Sequence, residues 1–446
     1  SKKATDEAAV TRKWRQHDII AKSQRADVWP EWLGEDREPE DFFELFFDVE
    51  VISLIADQSI KYAVEKGQTQ FIISENEFKI FLAILLISGY CCYPRRRMYW
   101  ECAADVHQAG IANAMSRNRF EEILRFFHVC DNSNLDQSDK FAKIRPLWSL
   151  LNSRWLKWFP GDGNLSVDES MCPYFGRHSC KQHIHGKPIS FGYKIWCLYT
   201  RLGYIIQGIP YQGDSTGNTY PDIGVGGSVV LNLVEALPSK HHLHFDNFFT
   251  SLKLLDSLQK KGHDGTGTIR ANREEHAPLK NPKVMKNCKR GEYHQVTDVN
   301  SKITLVRYND NNVVTVGSTF CGVQPIGQCK RWSKAEKKRI TIDQPRCIVQ
   351  YNENMGGVDR MDQNIASYRI GIRSKKWYWP LIGYAINTCV NNAWKLYRLT
   401  EQGKRDGLDL LGFTRRIVQT YLAKHALERQ RPGRAPVPVK RRVENA

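Results

Sequence analysis

Apolar residues recur every three or four positions across residues 75–89 and again across 148–159, the period of a helix that buries one face. From residue 27 to about Pro160 the chain reads as helical, opening on a run of aromatics (Trp29, Trp32, Phe42, Phe43, Phe46, Phe47). At about Asn164 the period switches. Residues 165–168, 193–200 and 204–210 are rich in β-branched and aromatic side chains, as strands are, and 241–245 and 265–270 repeat the pattern. Helical patterns at 229–237 and 250–260 lie between them. Alternating strands and helices predict an α/β fold, a mixed sheet covered by helices.

Residues 271–345 break the alternation. Short runs at 291–297, 303–308 and 313–318, with Asp310-Asn311-Asn312 as a turn, predict a small antiparallel meander. Residues 330–346 follow with seven Lys/Arg against two acids, either a DNA-facing edge or a solubilising loop. A strand is then expected at 348–351, a helix at 358–368 and a strongly amphipathic helix at 379–397. Both ends lack apolar periodicity. Residues 1–26 read as a flexible basic arm, and 430–446, with Arg431-Pro432 and Lys440-Arg441-Arg442, as a disordered basic tail that fits a nuclear import signal.

Composition narrows the class. The chain has 446 residues, 41% of them hydrophobic, enough to bury a sizeable core in two or three domains. Lys+Arg number 65 against 48 Asp+Glu, a formal charge of +17. Such a surface attracts polyanions, because each phosphate it neutralises releases a counterion. Nucleic acid is the leading partner, ahead of an anionic membrane or an acidic protein. No stretch reaches the roughly 18 apolar residues of a membrane span, and the start, Ser1-Lys2-Lys3, has neither an apolar signal core nor an initiator Met. A soluble intracellular protein, trimmed at its start, is expected. The 12 Cys form no C-x-x-C pair and read mostly as buried free thiols. Cys172 and Cys180 with His178, His183 and His185 offer an irregular zinc candidate.

Three acids stand out. Asp168 and Asp246 each end an apolar run, and Asp359 follows Gly356-Gly357 at a helix start, with Asp362 three residues on along the same face. Carboxylates at adjacent strand ends point into the crevice where α/β sheets bind ligands. With a helix acid facing them they make an all-oxygen site suited to Mg²⁺. Two such ions can activate the attacking oxygen and stabilise the leaving oxygen of a phosphoryl displacement. By pattern alone, each Asp also reads as a helix N-cap.

Around these acids the sequence resembles the piggyBac transposase family. Ser166-Val167-Asp168-Glu169-Ser170-Met171 with Phe175-Gly176-Arg177 resembles its first acidic motif, and Lys187-Pro188 with Phe191-Gly192-Tyr193-Lys194 the segment after it. His244-Phe245-Asp246-Asn247-Phe248-Phe249-Thr250-Ser251 resembles the second motif. Tyr351-Asn352, Gly356-Gly357-Val358-Asp359 and Asp362-Gln363 resemble the third, continued by Lys375-Lys376-Trp377 and Ile386-Asn387. The match runs from roughly residue 30 to 425.

The resemblance implies an α/β, RNase H-like catalytic core (164–270 and 346–369) interrupted by a β-rich basic insertion domain (271–345). A mainly helical DNA-binding and dimerisation domain (27–163 and 370–429) would flank it. It implies a nuclear homodimer that cuts and pastes double-stranded DNA at TTAA targets through hairpin-ended intermediates, joining transposon ends to the target. Asp168, Asp246 and Asp359 become the ligands of two Mg²⁺, with Mn²⁺ as substitute, and Asp362 an accessory acid. Arg177, Lys187, Lys194, Arg373, Lys375, Lys376 and Trp377 become DNA contacts. One departure stands against this. Family members usually carry a C-terminal Cys/His-rich zinc domain, and residues 390–446 contain no Cys. A domesticated DNA-binding protein that no longer transposes, or a nuclease without strand transfer, are the competing readings.

Overall fold

A computed structural model describes residues 11–424, apart from 24, 104, 214, 215, 217, 239 and 335. The helices preceding the sheet are α1 (Pro39–Glu44), α2 (Val49–Glu65), α3 (Glu75–Tyr90), α4 (Ala109–Ala114), α5 (Arg117–Phe126) and α6 (Arg145–Lys157). Those after its first strands are α7 (Gly224–Val234), α8 (Leu252–Lys260), α9 (Pro282–Lys286), α10 (Arg346–Asn354), α11 (Gly357–Ser367), α12 (Trp379–Tyr397), α13 (Glu401–Asp406) and α14 (Leu410–Lys424).

Local chemistry starts several of them. Asp48 accepts the Val51 amide at the head of α2, and Ser74 and Glu77 form a reciprocal capping box on α3. Every residue of α3 from Phe78 to Gly89 is buried, so this helix must be surrounded on all sides. Its cover comes from the far end of the chain. Helix α14 lies along it, the Gly371 amide donates to Ser88 Oγ at 3.0 Å, and the Phe43 ring meets that of Tyr421 at 6.3 Å. Helices from before and after the sheet therefore pack as one body.

The strands are β1 (Trp14–Arg15), β2 (Asn164–Pro173), β3 (Lys181–His183), β4 (Phe191–Thr200), β5 (Ile205–Pro210), β6 (His242–Phe245), β7 (Asp264–Thr268), β8 (Tyr293–Asp298), β9 (Thr304–Asn309), β10 (Val313–Ser318), β11 (Gly327–Ser333) and β12 (Lys338–Gln344). Ten of them form one sheet in the order β1-β8-β9-β10-β7-β6-β2-β4-β3, with β5 on β4. Antiparallel β2, β4 and β5 followed by parallel β6 and β7 make the RNase H-like core. The meander β8–β10 extends this same sheet through antiparallel pairing of β10 with β7. Strands β11 and β12 stand apart as a two-stranded ribbon.

Three expectations are corrected. The described residues of the expected flexible arm are held in place: β1 pairs with β8, and Arg12, 4% exposed, bonds Asp256 at 2.6 Å and Glu275 at 2.7 Å. Asp18 accepts the Val323 and Gln324 amides. A basic segment rich in donors is held there by acids distant in sequence. Residues 348–351 are helical, within α10, because Pro345 opens a helix whose buried side is Cys347, Ile348, Gln350 and Asn354. Helix α12 is not amphipathic but buried nearly all round. Residues 1–10 and the expected tail at 430–446 lie outside the described residues. No helix among the described residues is long and apolar enough to cross a membrane.

Candidate functional site

Strand β2 does not stop at Asp168; its neighbour does. The parallel pairing of β2 with β6 ends at Val167 opposite Phe245, while β2 runs on to Pro173 against β4. Asp168 and Asp246 are therefore the next residues on two adjacent parallel strands. Asp246 turns into α8: its Oδ1 accepts the Phe248 amide at 2.8 Å, Thr250 Oγ1 donates to its carbonyl at 2.7 Å, and Ser251 caps the helix.

Helix α11 crosses the face of β2 that carries Ser166, Asp168 and Ser170. It comes this close because Gly357 has no Cβ, which would sit 2.5 Å from the Thr200 carbonyl and 2.8 Å from Ser166 Oγ. That close approach accounts for Gly357, while Gly356 has open space where a Cβ would sit. Further along, Ser170 Oγ donates to Asp362 Oδ1 at 2.5 Å. Asp359, in the first turn of α11, is exposed.

Lys187 joins the two sides. Its Nζ lies 3.9 Å from Asp168 Oδ2 and 3.6 Å from Glu169 Oε1, and donates to the Glu169 carbonyl at 3.3 Å. Burial disfavours its charge, but Asp168, Glu169, Asp362 and Asp359 outweigh that and raise its pKa. The acids respond to the same crowding. Burial, with Glu169 and Asp246 nearby, pushes Asp168 up to about 8 against the pull of Lys187. Burial and Glu169 also raise Asp246, opposed by the Phe248 amide. Burial pushes Asp362 up to about 6, although Ser170 and Lys187 hold it down. Carboxylates under this strain gain from a bound cation.

The donor set, carboxylate oxygens of half-buried Asp168 and Asp246 and of exposed Asp359, suits a hard divalent ion. The site is not closed around one. Among the described residues no three His, Cys, Asp or Glu side chains stand close enough together to hold a metal, and the Lys187 ammonium occupies the approach to Asp168. The zinc candidate is likewise not assembled: His178 stacks on Trp377 at 4.2 Å, and His183 packs on Phe191 at 4.4 Å.

The expected DNA contacts divide. Arg177, Arg373 and Lys375 are exposed; Arg373 and Lys375 line a cavity of about 710 Å³ between the end of β2 and the start of α12. Lys194 is half-buried among rings, 3.9 Å from the Tyr211 centroid and 4.7 Å from that of Trp196, so its charge faces aromatics and Glu169. Lys376 is corrected: its Nζ donates to the carbonyls of Leu124, Arg125 and Phe127 at 3.4, 2.9 and 2.5 Å. All three N–H donors are spent on the end of α5, leaving none for a phosphate. Trp377 lies in the turn before α12, packed on His178 and Phe141.

Sequence reasoning missed Tyr351 as a site residue. Burial and the charges of Asp246 and Asp168 push its hydroxyl up to about 12, against its bond to Thr268. The signal was the Tyr351-Asn352 pair, hidden in a segment read as a strand.

A family model described as Transposase IS4 matches residues 38–394. The chain is 43% identical over 440 residues to PiggyBac transposable element-derived protein 3 of Homo sapiens, covering 97% of this chain and 73% of that protein. It is 43% identical over 435 residues to PiggyBac transposable element-derived protein 2 of Homo sapiens, covering 92% and 73%. A cryo-EM structure of a piggyBac transposase synaptic complex with hairpin DNA has a similar fold, with TM-score 0.71, 22% identity and coverage of 93% of this chain and 86% of that one.

Proposed function

The chain belongs to the piggyBac transposase family, and from that premise we propose that it is a DNA transposase that excises and inserts a DNA segment in a metal-dependent reaction. Asp168, Asp246 and Asp359 would hold two Mg²⁺, with Mn²⁺ able to substitute. When bound, these ions supply activation of the attacking oxygen and stabilisation of the leaving oxygen at phosphorus. Lys187 balances the acids before substrate arrives and then meets a phosphate oxygen. Asp362, tethered by Ser170, is a positioning residue that fixes the pitch of α11 and hence the place of Asp359. Arg177, Arg373 and Lys375 take backbone phosphates along the flank. Insertion at TTAA through hairpin-ended intermediates, a homodimeric assembly and a nuclear location complete the proposal.

The observation that carries this reading is the register that sets Asp168 beside Asp246 at the end of β6, with the acids of α11 across from them. A plasmid excision assay tests it, with element ends flanked by TTAA and Asp246→Asn run in parallel. Wild type should excise and the variant should not, while both bind DNA equally. Excision no greater than the variant's favours the second reading, a DNA-binding protein that no longer transposes. The observation behind that alternative is that the two relatives at 43% identity are named as transposable element-derived.

A further inference from the structure

The ribbon β11–β12 has two unlike faces. Its inner face is spent on anchoring. Ile342 and Gln344 are buried, and Arg331 Nε donates to Asp310 Oδ2 at 2.9 Å while Arg290 Nε holds Asp310 Oδ1 at 2.6 Å. Arg290 also donates to the Trp332 carbonyl at 3.0 Å, and Tyr308 Oη to the Asp343 carbonyl at 2.9 Å. The ribbon is thus fastened along its length to the strands that extend the catalytic sheet.

The outer face is open. Trp332 is paired with Arg339, and Lys330 with Thr341, and all four side chains point outward. Trp332 is 58% exposed, a large apolar surface left in water. Lys330 and Arg339 make no ion pair among the described residues. Across residues 327–344 there are six Lys/Arg against two acids. A purely solubilising strand pair has no use for an exposed indole between cations. A nucleic-acid contact does, because the cations meet phosphates and the ring meets base edges or sugars.

We propose that the outer face of β11–β12 docks in the major groove of duplex DNA, with Lys330 and Arg339 on phosphates and Trp332 in apolar contact with the groove. This rests on DNA being the partner, as in the proposed function, and adds a contact surface away from the carboxylates. The dimensions suit it. Seven paired residues span roughly 23 Å at about 3.3 Å each, and the B-form major groove, about 12 Å wide, admits a two-stranded ribbon. The deep, narrow major groove of A-form RNA does not.

Full-length protein is titrated onto a fluorescent mixed-sequence duplex in EDTA over a series of salt concentrations, with binding read by anisotropy. Variants are Lys330→Ala/Arg339→Ala, Trp332→Ala and, as a control of equal charge change on α13, Lys404→Ala/Arg405→Ala, each checked for an unchanged melting temperature. The ribbon double variant should lower the slope of log affinity against log salt by about two and weaken duplex binding roughly tenfold. Trp332→Ala should weaken binding with the slope kept. A wild-type slope in the ribbon variant or an equal drop in the control overturns the assignment. The assay needs neither metal nor cleavage, so its failure is distinct from failure of excision.

Discussion

Ser170 Oγ donates to Asp362 Oδ1 at 2.5 Å and accepts from Tyr384 Oη at 2.9 Å. This relay ties α11 and α12 to the strand that carries Asp168. Ser170→Ala leaves a buried carboxyl and a buried phenol without their shared partner, and should cost about 1–3 kcal/mol of stability, measured by urea unfolding. Excision should fall too, because α11 loses its tether. A variant as stable and as active as wild type would remove Asp362 from the positioning role.

Lys187, between Asp168 and Glu169, acts as a built-in counter-ion. Lys187→Met should lower the melting temperature in EDTA, since acids already raised by burial and mutual repulsion lose a favourable charge. Adding Mg²⁺ should close most of the gap to wild type. A gap of the same size with and without Mg²⁺ separates Lys187 from the proposed metal site.

Lys376 supports the fold and is not expected to touch DNA. Lys376→Met should cost roughly 2–3 kcal/mol by leaving three carbonyls at the end of α5 without a donor, read by chemical denaturation. Duplex affinity of the folded variant, measured at low temperature, should match wild type. Lost affinity with full stability would return Lys376 to the DNA surface.

His128 gives a pH signature. Burial, reinforced by Lys376, lowers its pKa from 6.5 to about 4, and its ring stacks on Tyr62 at 3.8 Å. Between those values the unfolded chain takes up a proton that the folded chain refuses, so this contribution to stability falls as pH drops from 6.5 to 4. The melting-temperature advantage of wild type over His128→Gln should be constant above about pH 7 and shrink through that window. A constant difference down to pH 4 would mean the folded-state pKa is not lowered.

Much of this was legible in the sequence because core strands and helices carry their own period. Helix α3 and the strands β2, β4, β5 and β6 follow from local apolar runs, whereas the polar β3 (Lys181–His183) carries none. What failed was set by partners far away. The polar residues of α12 suggested a solvent face, yet Asn392 bonds both the amide and carbonyl of Ile205, and Asn391 donates to the Gly203 carbonyl. They satisfy backbone groups of the β4–β5 turn inside the core. Asp168 reads as a strand end because Asp168-Glu169-Ser170 is polar; β2 instead runs on to Pro173, with Asp168 and Ser170 on the face that α11 crosses. Lys376 looked like surface charge for want of any local sign of the three carbonyls waiting for it.

The most direct test of the proposed metal centre is Mn²⁺ binding by the full chain, measured by calorimetry for wild type and for Asp168→Asn, Asp246→Asn and Asp359→Asn. Asp246→Asn keeps an oxygen to accept the Phe248 amide, so its fold should persist and only the charge is lost. Wild type should bind, and each variant should bind roughly tenfold or more weakly. Equal stoichiometry and affinity in wild type and all three folded variants would contradict a metal site built on these aspartates.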